Sequence, residues 1–256
     1  MNQLLDVDGA AVEYYQCGER GVKNLVLLHE GLGCIALWRD FPNKLKAISD
    51  TSVTAYSRAG YGNSDPINLP RPLDHMRREA CAFLPRFLEV LNIERPILVG
   101  HSDGATIALE FAAAFPSKLA GLVLMAPHVF VEQQSLNAIE AANLAYATGD
   151  LREKLRRYHG KNVDNAFRGW CDTWLNPTFR DWDMRDVLRD IRVPILQIQG
   201  RNDEYGTLAH TGYIERESNG PVKTVVYGGC GHSPHLEKPE EALQEIANFV
   251  ENLQVH

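Results

Sequence analysis

The chain has 256 residues, which suits one large domain or a core that carries a modest insertion. Apolar residues make up 45% of it and charged residues 23%, values that exclude disordered, collagen-like and low-complexity proteins. The formal net charge is −7, whereas nucleic-acid-binding proteins usually have an excess of basic residues, so we expect no nucleic-acid partner. Uncharged stretches such as Leu119 to Val131 are shorter than the roughly 20 apolar residues that span a bilayer, so we expect no membrane partner.

The N-terminal segment and the cysteines both indicate a protein of the cytoplasm. The segment from Met1 to Asp8 contains neither the basic nor the apolar region of a secretory signal. The cysteines are scattered, odd in number and without a C-x-x-C pair, which argues against a disulfide framework and against a zinc site. We therefore expect reduced thiols and no bound metal.

Apolar, partly β-branched runs alternate along the chain with longer helical patterns. The runs predict strands at 24–29, 52–56, 96–100, 119–125, 193–199 and 222–227, and residues 12–16 predict an antiparallel edge strand. Helical patterns cover Met76 to Val90 with a kink at Pro85, Thr106 to Phe115, and Leu243 to Leu253. Strands that alternate with helices indicate βαβ units, so we predict an α/β fold whose mostly parallel central sheet is covered by helices on both faces.

Residues 129–190 break this alternation. They show no clear strand pattern and predict helices at 132–147, 150–159 and 163–175, followed by a turn at Asn176-Pro177. Sheets of the α/β class bind ligands beyond the carboxyl ends of their strands. We therefore predict that residues 129–190 form a helical lid over a core of residues 1–128 and 191–256; a purely structural subdomain is the alternative.

The sharpest local motif is Gly100-His101-Ser102-Asp103-Gly104, which follows a predicted strand and precedes a predicted helix. G-x-S-x-G in that setting is typical of a nucleophile elbow, a turn so tight that the serine adopts strained backbone angles and its neighbours must be small. The motif predicts that Ser102 is a nucleophile. The elbow geometry also predicts that His101 points away from the serine.

Two later segments contain the groups that a serine nucleophile requires. His232 lies in a glycine-rich loop after the last predicted strand, with His235 as the alternative general base. Asp203 follows the preceding predicted strand and would orient the imidazole, with Glu204 as its alternative. Serine, aspartate and histidine in this chain order, each at a predicted strand end, predict a catalytic triad.

The tetrahedral oxyanion of acyl transfer requires backbone N–H donors. One is the N–H of Asp103, directly after the nucleophile. The other is expected in the loop His29-Glu30-Gly31-Leu32-Gly33, which follows an early predicted strand. We predict Gly31 as this donor, with Leu32 as the alternative.

Together these stretches resemble the α/β-hydrolase-fold serine hydrolases over nearly the whole chain. The resemblance is carried by HEGLG at 29–33, SRAGYGNSD at 57–65, GHSDG at 100–104, GRNDEYG at 200–206 and GCGHSPHLEKPEE at 229–241. It implies the α/β-hydrolase fold, hydrolysis of carboxylic esters or related bonds through an acyl-enzyme, and no cofactor. The family's first loop usually reads His-Gly-x-Gly, so Glu30 replaces a glycine and is expected to bring a carboxylate near the pocket.

Further side chains are candidates for contact with the substrate. The expected set is Glu30, Leu32, Trp38, His128, Trp170 and Trp174, with core packing as the alternative for the tryptophans. Arg58 and Trp182 are weaker candidates, and Arg58 is expected to anchor its own loop instead. The Asp103 carboxylate would favour a cationic substrate group if it entered the pocket; otherwise only its N–H takes part.

The sequence therefore predicts a serine hydrolase that cleaves a small carboxylic ester, lactone or thioester, with a small-molecule substrate as its partner. A C–C bond hydrolase of ring-cleavage products uses similar machinery and is the first alternative. A hydrolase-like ligand-binding or receptor protein without turnover is the second. The sequence does not distinguish a monomer from a homodimer.

Overall fold

The computed structural model describes residues 2–19, 23–49 and 51–253, and within them eight strands form a single sheet. The outermost residues of the predicted core, 1 and 254–256, lie outside this description. The order across the sheet is β1-β2-β4-β3-β5-β6-β7-β8, and only the pairs β1–β2 and β2–β4 are antiparallel. The predicted α/β class with a mostly parallel sheet is confirmed. The strands are β1 (Gln3–Val7), β2 (Ala10–Cys17), β3 (Asn24–Leu28), β4 (Ser52–Tyr56), β5 (Ile97–His101), β6 (Gly121–Met125), β7 (Ile195–Gly200) and β8 (Val222–Tyr227).

Helices connect most of these strands and cover the sheet. They are α1 (Phe41–Ser49), α2 (His75–Arg78), α3 (Leu84–Val90), α4 (Asp103–Ala114), α5 (Gln133–Thr148), α6 (Leu151–His159), α7 (Val163–Trp174), α8 (Ala209–Glu217), α9 (Pro234–Glu237) and α10 (Pro239–Asn252). Shorter 3₁₀ turns occupy Ile35–Trp38, Gly160–Asn162, Pro177–Asp181 and Arg185–Asp190.

The sheet is buried on both faces because successive residues of each central strand point to opposite sides. In β3, Leu25 and Leu27 join the apolar cluster that includes α1 and α10, whereas Val26 and Leu28 join the cluster that includes α3 and α4. This two-sided burial explains why the central strands have continuous apolar runs and not an alternating pattern.

Pro85 changes the form of the helix around it. The chain is helical from α2 to α3, but the turn Glu79–Phe83 just before Pro85 is a π-helix. Proline has no N–H to donate to the carbonyl four residues earlier, and its ring would clash with that carbonyl in a regular α-helix. The wider π turn accommodates the ring where the sequence predicts a kink.

The chain between β6 and β7, which is described throughout, forms the helices α5, α6 and α7. These helices begin and end within one residue of the predicted segments. The segment contains no strand beyond an isolated bridge between Phe130 and Asp183. We refer to residues 126–194 as the helical insertion.

The helical insertion is fastened to the core loop that follows β7. The Glu132 carboxylate accepts hydrogen bonds from the backbone N–H and hydroxyl of Thr207 and contacts His210 Nε2 at 3.0 Å. Next to it, Gln134 Nε2 donates to the carbonyl of Asp203 at 2.6 Å. These hydrogen bonds join the start of the insertion to the loop of Asp203.

Four parallel strands end at one edge of the sheet and deliver the candidate residues there. The loop His29–Gly33 follows β3, Ser102 follows β5, Asp203 follows β7, and His232 follows β8. Because parallel strands share one direction, their carboxyl ends meet, and residues far apart in the chain become neighbours.

The glycine at position 104 is required by the close packing of α4 on β3. A Cβ there would lie 2.0 Å from the carbonyl oxygen of Leu28, a backbone atom that cannot move aside cheaply. We expect Gly104→Ala to lower the free energy of unfolding by about 1–3 kcal/mol, measured by urea denaturation. Gly212→Ala in α8 is the matched control, since a Cβ there meets nothing within 4 Å. It should be neutral or stabilise by up to about 1 kcal/mol. Equal effects of the two substitutions would contradict this packing argument.

The Glu132 carboxylate should make the stability of the fold depend on acid pH. Burial favours its neutral form, but the hydrogen bonds from His210 and Thr207 outweigh burial and lower the pKa of Glu132 from 4.5 to about 2. A depressed pKa in the folded state contributes stability above pH 4.5 that is lost as the pH falls towards 2. We expect Glu132→Gln to destabilise the protein at pH 7 and to have a smaller stability loss between pH 5 and 3, measured by urea denaturation. The exposed Glu251→Gln is the control, and parallel pH curves for Glu132→Gln and wild type would refute the assignment.

Candidate active site

Ser102 has the backbone geometry of a nucleophile elbow. Its φ of 54° lies in the left-handed region, which is strained for a residue with a Cβ. The turn is closed by the Ser102 N–H, which donates to the carbonyl of Met125 at 2.9 Å, and by the Ser102 carbonyl, which accepts from the N–H of Ala105 at 2.8 Å. The strained turn sets the serine between the end of β5 and the start of α4.

Asp203 and His232 form a buried carboxylate–imidazole pair. His232 Nδ1 lies 2.9 Å from both carboxylate oxygens of Asp203. The same carboxylate accepts the N–H of Tyr205 at 2.8 Å and Gln199 Nε2 at 2.7 Å. Burial raises the pKa of Asp203, but the hydrogen bond from His232 and the Tyr205 N–H outweigh burial and lower the pKa to about 2. The ionised carboxylate holds the proton of His232 on Nδ1 and leaves Nε2 as the free base.

Three rings surround the imidazole of His232. The ring centroids of Tyr205, His101 and His128 lie 4.8, 5.1 and 5.7 Å from it. Burial and the neighbouring histidines lower the pKa of His128 to about 3, so His128 is neutral near pH 7. His101 Nε2 lies 2.8 Å from the carbonyl oxygen of His232, where it can donate a hydrogen bond.

The loop after β3 is held by its carbonyl groups. The carbonyl of Glu30 accepts from Gly33 N at 3.1 Å, from His29 Nδ1 at 2.7 Å and from Arg58 Nη2 at 2.8 Å. In a trans peptide the C=O and the next N–H point in opposite directions. The N–H of Gly31 therefore points away from these donors, as an oxyanion donor must do to remain available.

Residues from the core loops and from the helical insertion enclose one cavity of about 120 Å³. That volume is slightly smaller than an apolar cavity of roughly 150 Å³ that holds benzene. The core loops contribute Glu30, Gly31, Leu32, Ser102, Asp103 and His232. The insertion and its flanks contribute His128, Ser135, Ile139, Trp170 and Trp174. The cavity lining is thus largely apolar, and both Ser102 and His232 belong to it.

Glycine at position 31 allows the insertion to close on this loop. A Cβ on Gly31 would lie 2.2 Å from Trp170 Nε1, so any other residue would push the indole away. A second contact joins the insertion to the elbow, where Trp174 Nε1 donates to Asp103 Oδ1 at 3.3 Å. Two tryptophans of α7 therefore form the roof over the serine.

Asp103 is buried at the first turn of α4, and burial raises the pKa of its carboxyl group. One oxygen accepts from Trp174, and the other is shielded from solvent without a hydrogen-bond partner among the described residues. Its backbone N–H belongs to the first turn of α4, where N–H groups have no partner within the helix. The geometry therefore supports the interpretation in which Asp103 contributes its N–H.

Most residues expected at the pocket line the cavity, but Trp38 requires a correction. Its ring is 1% exposed and packs in the core against Phe41 and His235, with centroids 5.7 and 4.8 Å away. Trp38 ends the 3₁₀ turn Ile35–Trp38, and its side chain belongs to the apolar cluster that includes α1 and α10. Trp182 also lies away from the cavity, stacked on Phe179 at 5.4 Å.

Arg58 contacts backbone and not the cavity. Its guanidinium donates to the carbonyls of His29 and Glu30, so it anchors the loop that contains Gly31.

The two alternative triad residues, His235 in place of His232 and Glu204 in place of Asp203, also lie outside the cavity. His235 is buried against Trp38, and burial lowers its pKa to about 3, while Glu204 is exposed.

The sequence interpretation missed several residues of the cavity wall. Ser135 and Ile139 lie four residues apart and so share one face of α5, and Tyr205 follows Asp203 closely. An i,i+4 spacing on an amphipathic helix is common in helix packing, so it was no specific signal for a site.

The described residues contain neither a metal-binding cluster nor a membrane-spanning helix. In residues 2–19, 23–49 and 51–253, no cluster of three or more His, Cys, Asp or Glu side chains is arranged to hold a metal ion. No helix in the same residues has the length and apolar character needed to cross a bilayer.

Comparisons with known proteins agree with this arrangement. A proline iminopeptidase of Heyndrickxia coagulans is 24% identical, and the match covers 98% of each chain. A 2-hydroxy-6-oxo-6-phenylhexa-2,4-dienoate hydrolase of Comamonas testosteroni is 24% identical over 96% of this chain and 93% of its own. The crystal structure of an enol-lactonase from Burkholderia xenovorans LB400 superposes with a TM-score of 0.76 at 18% identity, covering 98% of this chain and 100% of that one. Residues 25–245 match the sequence model of the alpha/beta hydrolase family, and with the fold and the elbow described above this shows that the chain belongs to that family.

Proposed function

We propose that the protein is a serine hydrolase that cleaves a small carboxylic ester, lactone or thioester through an acyl-serine intermediate. The observation that carries this proposal is the convergence of Ser102 and the paired Asp203–His232 on one cavity. The proposed catalytic residues are Ser102, Asp203 and His232, and the proposed oxyanion donors are the N–H groups of Gly31 and Asp103.

In the acylation half, His232 Nε2 takes the proton of the Ser102 hydroxyl as Oγ attacks the substrate carbonyl carbon. The carbonyl oxygen becomes an oxyanion that the N–H groups of Gly31 and Asp103 stabilise. Asp203 stabilises the imidazolium that forms. The imidazolium then gives its proton to the leaving group as the bond to that group breaks.

In the deacylation half, a water molecule replaces the leaving group. His232 takes a proton from this water, and the resulting hydroxide attacks the acyl-serine carbonyl. Collapse of the second tetrahedral intermediate returns the proton to Ser102 Oγ and releases the carboxylic acid. Besides the chain and the substrate, these steps consume one water molecule.

The charge of the cavity wall favours esters over the first alternative. The wall contains two carboxyl groups, those of Glu30 and Asp103, and no Lys or Arg. Substrates of C–C bond hydrolases named for dienoates have a carboxylate, which this wall offers no cation to pair. A buried unpaired charge is costly, so a neutral, compact acyl group suits the cavity better.

The second alternative is a binding protein that does not turn over its ligand. Such a protein has no need for a strained serine or for an ionised aspartate under a histidine, and both features are costly to stability. Their presence together supports an enzyme.

All five cysteines have free thiols, which supports a reducing compartment such as the cytoplasm.

Turnover should depend on the triad. With 4-nitrophenyl acetate as substrate, we expect Ser102→Ala to lose the enzyme-catalysed rate, because no other group can form the acyl intermediate. Asp203→Asn should lower kcat by about 10³–10⁴-fold, since it leaves His232 in the wrong tautomer. Glu204→Gln is the matched control at the neighbouring exposed carboxylate and should keep wild-type kcat. Equal rates for Ser102→Ala and wild type would reject the proposed function.

The acyl group should be compact and uncharged. The two esters to compare are 4-nitrophenyl butyrate and mono-4-nitrophenyl succinate, whose four-carbon acyl group has a carboxylate in place of the terminal methyl group. We expect the kcat/KM of the butyrate to be at least about tenfold higher. Tenfold corresponds to about 1.4 kcal/mol for the uncompensated charge. Because the Asp103 carboxylate is shielded, an added α-amino group should bring no preference. A preference for the succinate ester would favour the C–C bond hydrolase alternative, and an α-amino preference that Asp103→Asn abolishes would favour the cationic-substrate alternative.

A further inference from the structure

A second carboxylate–imidazole pair lies beside the first. Glu30 Oε2 lies 3.4 Å from His101 Nδ1 at ion-pair distance, and the two residues line the same cavity as Ser102 and His232. The His101 side chain is 1% exposed, and the Glu30 side chain is 25% exposed. The proposed mechanism of Ser102, Asp203 and His232 uses neither residue.

His101 connects this pair to the catalytic histidine. Its Nδ1 faces Glu30, and its Nε2 lies 2.8 Å from the backbone carbonyl of His232. A carboxylate near Nδ1 and a carbonyl at Nε2 favour the doubly protonated ring, in which both nitrogens carry a proton. Glu30 thereby favours the ring orientation in which Nε2 donates to the carbonyl of His232.

Glu30 also belongs to the oxyanion loop through its backbone. Its carbonyl is the acceptor of three donors, and the orientation of that carbonyl directs the N–H of Gly31. The single residue Glu30 therefore joins the loop that stabilises the oxyanion to the loop that contains the base. A glycine at this position could not make the second connection.

The charges around this pair favour its ionised form. Burial raises the pKa of Glu30 and lowers that of His101, but their mutual attraction outweighs burial, so the pKa of Glu30 falls and that of His101 rises. His29 and His235 also face Glu30, and the pKa of each is lowered, so both are neutral. The titratable groups that face His101 and His232 from the other elements are Asp103, His128, Asp203, Tyr205 and His235.

We propose that Glu30 and His101 are positioning residues that hold the catalytic His232 in place. The proposal rests on the proposed function of Ser102 and His232 as nucleophile and base. The hydrogen bond from His101 Nε2 holds the backbone of His232, and the ion pair with Glu30 holds the orientation of the His101 ring.

The test compares five variants with wild type by kcat and KM for 4-nitrophenyl acetate. Glu30→Gln removes the ion pair that orients His101 with little change of shape. We expect kcat to fall by about tenfold or more with KM within about twofold, as for a misplaced catalytic group.

Two substitutions of His101 test the hydrogen bond to the carbonyl of His232. The amide of His101→Gln can still donate to that carbonyl, so this variant should keep most of kcat. His101→Leu has no donor and should lower kcat by about tenfold or more. Adding Glu30→Gln to His101→Leu should cause no further loss, since the two residues act as one unit.

Glu110→Gln is the matched control. This buried carboxylate in α4 pairs with Arg77 at 3.5 Å, away from the cavity, and its loss should leave kcat and KM unchanged. Thermal unfolding of each variant identifies any loss of activity that comes from loss of the fold. A Glu30→Gln variant with wild-type kcat, or additive losses in the double variant, would overturn the inference. Activity that survives Ser102→Ala would instead overturn the proposed function, so the two failures are distinct.

Discussion

The arrangement of the site depends on one buried interaction, the hydrogen bond between the Asp203 carboxylate and His232 Nδ1 at 2.9 Å. A carboxylate shielded from water is stable as an anion only when donors surround it, and here Gln199, Tyr205 and His232 are those donors. The bond joins the loops after β7 and β8 and determines which nitrogen of His232 is free. Both the architecture of the sheet edge and the proposed chemistry therefore depend on the charge of Asp203.

The helical insertion packs against the loops that contain the proposed catalytic residues. Trp170 lies against Gly31, and Trp174 donates to Asp103. Glu132 and Gln134 join the start of the insertion to the loop of Asp203. Hydrogen bonds and charges in a small, largely apolar cavity act at lower dielectric than in water and are stronger there. The proposed preference for a compact, uncharged acyl group follows from these walls.

The sequence predicted the α/β class and the positions of the central strands because two-sided burial leaves continuous apolar runs. The G-x-S-x-G turn and the glycine-rich loop of His232 were also readable, since tight turns at strand ends require particular residues. β1 was missed, although Asp8 and Gly9, both with positive φ, form the Asp-Gly turn typical of a hairpin. The positions of Trp38 and His101 depend on packing between segments distant in the chain, which local pattern does not contain.

The proposed chemistry requires that Ser102 becomes a nucleophile through an imidazole from the far end of the chain. The most direct measurement is mass spectrometry of the protein after treatment with a fluorophosphonate, followed by peptide mapping. We expect a single adduct on Ser102 in the wild type and labelling slowed by orders of magnitude in His232→Ala. An unlabelled Ser102, or labelling at the same rate without the imidazole, would contradict it.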